Sequence, residues 1–300
     1  MGRQKRKEYA FYAVLAGTFL LIAGAYGSGE KSVQQNAKEM GAVAEKAVAE
    51  PEYVPAVRLY AGIFTKLDGE EYAVIEKNKA ILVAAANRGY FDESDVYSFL
   101  QGPKSWGEGR AWSGEWSNQY VRGNYFGNFG CGLCCMANIY STFSGHTCSP
   151  WDMFLYAREV SGYTPTKKIG AIGWGDMKTV MRKCGFDAEL YTKPQDYETF
   201  RDQVRSAKSV VVLVSSHDDN TYWKKTGGHY VNISLYKEDT DEVFLADPAD
   251  PDGNRNYIPL RYVYDALKTV SKYQYLLVNG YSEEQNQWKQ DGIDEAWVAP

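Results

Sequence analysis

The hydrophobic residues of this chain have helical spacing first and strand-like spacing later. In the helical part, apolar residues recur every three or four positions, which predicts helices at 132–143, 150–160, 177–184 and 196–208. From residue 209 onward, short β-branched runs and alternating positions predict strands at 209–215, 229–236, 242–246 and 273–278. Helices that precede a mainly antiparallel sheet indicate an α+β fold.

The N-terminal residues differ from this globular pattern. Four basic residues between positions 3 and 7 precede an apolar run over 9–25, an order typical of an export signal or a membrane anchor. The basic flank predicts that the N-terminus stays in the cytoplasm and that the rest lies outside, tethered to the cell membrane or secreted.

The rest of the chain divides by composition. The predicted order is a signal peptide or anchor (1–27), a stalk (28–52), a small helical region or prosegment (53–100), the main domain (101–281) and a C-terminal tail (282–300).

Composition narrows the functional classes. With 300 residues, 44% of them hydrophobic and 24% charged, the chain is long enough for one enzyme-sized core. Its net charge of −5 disfavours nucleic-acid binding as a main task. No ATP-binding motif is present, no cofactor is expected, and the oligomeric state stays open.

Cys131 lies where a glycine-marked turn becomes a helix. Backbone N–H groups at a helix N-terminus favour negative charge, which favours the nucleophilic thiolate form of a cysteine placed there. A free cysteine is just as often a buried packing residue. This stretch alone therefore leaves both interpretations open, and partner residues elsewhere in the chain must decide between them.

The four other cysteines allow several roles. In an exported chain they could form up to two disulfides, but neighbouring residues on a helix point in different directions, so simple packing is favoured. A zinc site built on Cys131, Cys134, His146 and Cys148 is disfavoured, because the first pair falls within a helical pattern.

His229 and Asp247 are the expected partners of Cys131. His229 opens a predicted strand after two glycines, and Asp247 ends the next one. An antiparallel pair of that length brings both residues to the same end of the hairpin, which suits a base and its orienting carboxylate. The acidic stretch 247–254 resembles a calcium loop without its closing Glu, so a polar turn is favoured.

The order of these motifs resembles that of a known family. Cys-Gly at a helix start, Gly-His-Tyr at a strand start and Ala-Asp-Pro at the end of the next strand are similar to the papain-like bacteriocin-processing peptidases, cysteine-peptidase family thirty-nine, and especially to their stand-alone exported relatives. The resemblance covers residues 112–277. It implies a papain-like fold, a peptide or protein substrate, no metal, Cys131 as nucleophile, His229 as general base and acid, and Asp247 as the group that orients His229.

One departure from the family bears on activity. A family Gln commonly supplies the side-chain half of the oxyanion hole six residues before the cysteine, where this chain has Tyr125. We predict Gln119 as its substitute, with Asn118 and Asn124 as alternatives. Loss of such a donor costs ~10²–10³ in rate. An inactive papain-like binding module is therefore one alternative function. A cell-wall amidohydrolase or transpeptidase of the same clan is another.

Overall fold

The structure is a computed structural model that describes residues 92–166 and 170–300. The predicted segments 1–27 and 28–52, and positions 53–91 of the predicted helical region, lie outside the described residues. Within the described ranges, no helix is both long enough and apolar enough to cross a membrane.

Most helices precede the sheet, as the spacing predicts. In the described residues they are α1 (Pro103–Gly107), α2 (Phe126–Phe129), α3 (Cys131–Phe143), α4 (Pro150–Ser161), α5 (Trp174–Lys183), α6 (Tyr197–Ser206) and α7 (Leu260–Ala266). The start of α4 shows how local chemistry fixes a helix: the Ser149 side chain accepts from the Asp152 N–H, and Asp152 accepts from the Ser149 N–H. Gly162 ends α4 in the left-handed conformation, at φ +74°.

The strands form a six-stranded antiparallel sheet and a short hairpin. In chain order they are β1 (Tyr120–Val121), β2 (Asn124–Tyr125), β3 (Cys184–Tyr191), β4 (Ser209–Val214), β5 (His229–Lys237), β6 (Glu242–Ala246), β7 (Asn256–Pro259) and β8 (Tyr275–Asn286). β1 pairs with β2, and the large sheet has the order β3-β8-β4-β5-β6-β7. The predicted α+β architecture, with helices on a mainly antiparallel sheet, is confirmed.

Strand β3 is absent from the sequence prediction. The spacing predicts Gly185 as the stop of a helix, but the chain turns directly into a strand there. Gly185 has φ +85°, and a Cβ at this position would lie 2.4 Å from the Ser282 carbonyl oxygen of β8. The glycine therefore permits a close approach between two strands, which also disrupts the regular register of this pair near Cys184.

Helix α3 forms the centre of the larger hydrophobic core. Every residue from Cys131 to Thr142 is buried, and the helix packs on β4 and β5. Strand β4 divides the two cores, because Val211 faces the α3 side while Val210 and Val212 face α6 and α7. The sheet is thus covered by helices on both faces.

Both ends of the predicted main domain continue into this core. Phe99 and Leu100 are buried in it, and β8 runs past residue 281 to Asn286. Farther along, Trp288 and Trp297 pack against the same core. The described part of the 53–100 region and the predicted tail therefore contribute to one fold with residues 101–281.

Candidate active site

Two glycines fix the position of Cys131 at the first turn of α3. A Cβ on Gly130 would lie 2.3 Å from the Phe126 ring, and a Cβ on Gly132 would lie 2.7 Å from Ile172 and 3.2 Å from Tyr230. Tyr230 follows His229 on β5. A side chain at position 132 would therefore push the start of α3 away from the strand that carries His229.

The sheet brings His229 and Asp247 together as the hairpin geometry predicts. In the β5–β6 register, Asn232 pairs with Ala246, so His229 and Asp247 fall at the same end of the two strands. The Nε2 atom of His229 lies 2.6 Å from Oδ1 of Asp247. This contact leaves Nδ1 as the ring nitrogen available to Cys131, whose side chain is near enough to raise the pKa of His229.

Burial and charge act in opposite directions on this pair. Burial alone lowers the pKa of His229, but the Asp247 carboxylate and Cys131 outweigh burial and raise the pKa to about 10. Burial likewise raises the pKa of Asp247, but the imidazolium and several hydrogen-bond donors lower it below its usual range. The pair is therefore an ion pair, with a charged imidazolium facing Cys131.

Asp247 is held by four donors, one of which the sequence analysis missed. Besides His229, the backbone N–H groups of Ala249 and Asp250 donate to Oδ1, and Trp223 Nε1 donates to Oδ2 at 2.9 Å. Trp223 is buried. Its only signal in the sequence is an isolated Trp in the otherwise polar loop 215–228.

The stretch after Asp247 is a polar turn, as favoured from the sequence. Asp247 and Asp250 accept hydrogen bonds from backbone N–H groups two or three residues later, the pattern of an Asx turn. Across residues 92–166 and 170–300, no group of three or more His, Cys, Asp or Glu side chains could hold a metal ion.

A hairpin explains the spacing between Gln119 and Cys131. The backbone N–H of Phe126 donates to the Gln119 carbonyl at 2.9 Å, so β1 and β2 loop out and return the chain beside Gln119 at the start of α2. The Gln119 side chain makes no hydrogen bond to any described residue. Buried Asn124 instead donates to the Thr166 carbonyl, and Tyr125 packs on Tyr120.

The other cysteines differ from Cys131 in their surroundings. Cys134, Cys135, Cys148 and Cys184 are fully buried, whereas Cys131 is 7% exposed. All five are free, so the structure shows packing and not the alternative of disulfides. Burial raises the pKa of each of the four buried thiols, which makes them poor nucleophiles.

Comparison with known families covers the whole of this site. The model of the Peptidase_C39 like family matches residues 116–288, more than half of the chain. The matched range includes Gln119, Cys131, Trp223, His229 and Asp247. No curated protein matches the chain.

Proposed function

The chain belongs to the Peptidase_C39 like family of papain-like cysteine peptidases, and we propose that it hydrolyses amide bonds in peptides or proteins with Cys131, His229 and Asp247 as its catalytic triad. One observation carries this proposal. Cys131, at the first turn of α3, lies beside a buried histidine whose pKa it raises and whose Nε2 is 2.6 Å from a buried carboxylate. Such a succession of nucleophile, base and orienting acid suits covalent catalysis.

The proposed reaction has two steps. The Cys131 thiolate attacks the carbonyl carbon, and His229 donates its Nδ1 proton to the leaving amine, which leaves a thioester on Cys131. His229 then removes a proton from water, the hydroxyl attacks the thioester carbon, and the acid product leaves as the Cys131 thiolate returns. Asp247 keeps Nε2 protonated and oriented throughout.

The developing oxyanion needs two donors in this proposal. The backbone N–H of Cys131 at the N-terminus of α3 would supply one, because a helix N-terminus favours negative charge. The Gln119 side chain would supply the second. Two observations support this role of Gln119. The hairpin brings the start of α2 back beside Gln119, and the Gln119 side-chain amide makes no hydrogen bond to any described residue.

Turnover by matched variants tests the proposal. The unmutated protein should cleave members of a peptide library between pH 5 and 9, and Cys131→Ala should abolish cleavage while keeping the thermal midpoint and peptide binding. Cys148→Ala is the matched control, since it removes a buried thiol outside the triad and should retain turnover. An unmutated protein that binds peptides without cleaving them, and whose Cys131 is unreactive, would favour the binding-module alternative.

We also propose that the domain is exported, either anchored in the cell membrane or secreted. The support is the basic and apolar pattern of residues 1–27. Protease added to intact cells should release a fragment that starts after about residue 28, or the medium should already contain it. Recovery of the protein only from the cytosol would contradict this proposal.

A further inference from the structure

An extended segment upstream of the family match runs between the two halves of the candidate site. This segment, residues 96–101, is here named the strap. It belongs to no strand of either sheet, yet side chains from both halves of the site bind its backbone. Extended backbone without strand partners is normally a surface loop, but residues 98–101 are all buried.

One side of the strap is attached to the nucleophile helix. The Phe99 N–H donates to Asn138 Oδ1 at 2.8 Å, and the Tyr97 N–H donates to Thr142 Oγ1 at 3.0 Å. Asn138 and Thr142 are one turn apart on α3. The strap therefore follows the helix that begins at Cys131.

The other side of the strap is attached to the loop that carries Asp247. Asn254 donates from Nδ2 to the Ser98 carbonyl at 2.9 Å, and its Oδ1 accepts from the Asp247 N–H at 3.0 Å. The Gln101 N–H donates to the Pro248 carbonyl at 2.8 Å. The backbone of Pro248 is thus bonded directly to the strap, and the backbone of Asp247 is bonded to it through Asn254.

Gln101 joins the two halves with a single residue. While its backbone N–H contacts Pro248, its Nε2 donates to the Gly127 carbonyl at 2.7 Å, in α2, the short helix that leads to Cys131. The residue is 8% exposed, and its Oε1 is a buried atom without a hydrogen-bond partner. An unpaired buried acceptor costs free energy, so packing alone would favour an apolar residue of the same length. The hydrogen bond to the Gly127 carbonyl therefore explains why this buried position carries an amide.

We propose that Gln101 is a positioning residue, which holds helix α2, just before Cys131, and the loop after Asp247 at a fixed separation. The active unit then includes the strap, although the family match begins at residue 116. This inference rests on the proposed triad. It also predicts that any processing of residues 53–100 must spare the strap.

Gln101→Met in the full-length chain tests the inference. Methionine keeps the length and packing of glutamine, removes the bond to Gly127 and also removes the unpaired oxygen, so the thermal midpoint should change little. Turnover should fall ~10- to ~100-fold with KM nearly unchanged, because small misplacements of reacting groups have effects of this size. Gln203→Met, which loses a bond to Tyr275 on the other face of the sheet, is the matched control and should retain turnover.

A second readout separates this inference from the proposed function. The rate of Cys131 alkylation by iodoacetamide against pH depends on the His229 contact and requires no turnover. In Gln101→Met the alkylation rate in the pH range where the His229 imidazolium supports the Cys131 thiolate should be lower. That pH range should also end at a lower pH than in the unmutated protein. If the unmutated protein is inert towards peptides, the proposed function fails, and the alkylation profile still decides the role of Gln101.

Two results would overturn the inference. One is a Gln101→Met protein with unmutated turnover and an unmutated alkylation profile. The other, which does not depend on whether the variant folds, is an active mature protein whose N-terminus lies after residue 101, as determined by mass spectrometry. A mature N-terminus upstream of residue 96 is the expected result.

Discussion

Replacement of Asp247 by asparagine removes one charge from the proposed triad and turns one hydrogen-bond acceptor into a donor. Three donors converge on Oδ1 of Asp247, from His229, Ala249 and Asp250, whereas Oδ2 accepts from Trp223 alone among the described residues. In Asp247→Asn the amide oxygen should therefore take the Oδ1 position, where it still accepts from His229. The new NH₂ group then faces the Trp223 N–H, which is a donor facing a donor.

The size of the expected effect follows from the charge. The pKa of His229 rises from its ordinary value of 6.5 to about 10, against the effect of burial and mainly through Asp247. At about 1.4 kcal/mol per tenfold change in proton affinity, this corresponds to roughly 5 kcal/mol in favour of the imidazolium. Without the carboxylate, burial is opposed only by the smaller contribution of Cys131, so the pKa of His229 should fall well below 10. Turnover should fall by ~10⁴, the size found when the carboxylate of a serine triad is changed to an amide.

The assay is the pH profile of kcat/KM together with the thermal midpoint. In the unmutated protein the alkaline limb should follow loss of the His229 proton and lie well above pH 6.5. In Asp247→Asn it should move down towards that value, while the fold is kept. The double variant with Trp223→Phe should cost less stability than the two single changes together, because the facing donors are gone. Asp247→Asn with near-normal turnover and an unmoved alkaline limb would refute the proposed role of Asp247.

Three further predictions test other parts of the site. Iodoacetamide near pH 6 should label Cys131 faster than the four fully buried thiols, and peptide mapping by mass spectrometry would show the reverse order if Cys131 were only a packing residue. Gln119→Ala should lower kcat by ~10²–10³ if the amide serves the oxyanion, whereas exposed Asn118→Ala should not; equal kcat values for the two would exclude Gln119. Because the pKa of His229 is raised, the stability that its pair with Asp247 contributes is lost as the pH rises from 6.5 to about 10. Because the pKa of Asp247 is lowered, the same contribution is present above pH 3.8. Urea unfolding should thus show the advantage over Asp247→Asn shrinking above pH 6.5, and an advantage that grows there would contradict the ion pair.

Periodicity predicted the elements that pack by a regular face. Helix α4, with its Ser149 cap, and strand β6 agree closely with the spacing in the sequence. Strand β3 was missed because its start at Cys184 continues directly from a helix, without the polar loop that usually separates two elements. Strand β7 was missed because its four residues are too short for a periodic signal.

The residues of the candidate site also fall into those that regular elements position and those that irregular segments position. Cys131, His229 and Asp247 could be proposed from sequence because each begins or ends a regular element next to a glycine or proline, and antiparallel pairing places two of them together. Trp223 and Gln101 could not, since their contacts span 24 and 26 residues between irregular segments. No local pattern specifies which loop residue reaches across such a distance.

The hairpin between Gln119 and Cys131 shows why a fixed spacing is a weak criterion for function here. Counting back six residues from Cys131 gives Tyr125, which packs on Tyr120 in the hairpin and has no amide to offer. In space, however, Gln119 lies next to the start of α2, because the β1–β2 hairpin brings the chain back and a backbone hydrogen bond joins Gln119 and Phe126. Gln119 is therefore a spatial neighbour of the first residue of α2, although six residues separate the two in sequence. The departure from the family pattern that favoured an inert binding module concerns sequence position alone, and the choice between enzyme and module depends on whether the Gln119 amide serves the reaction.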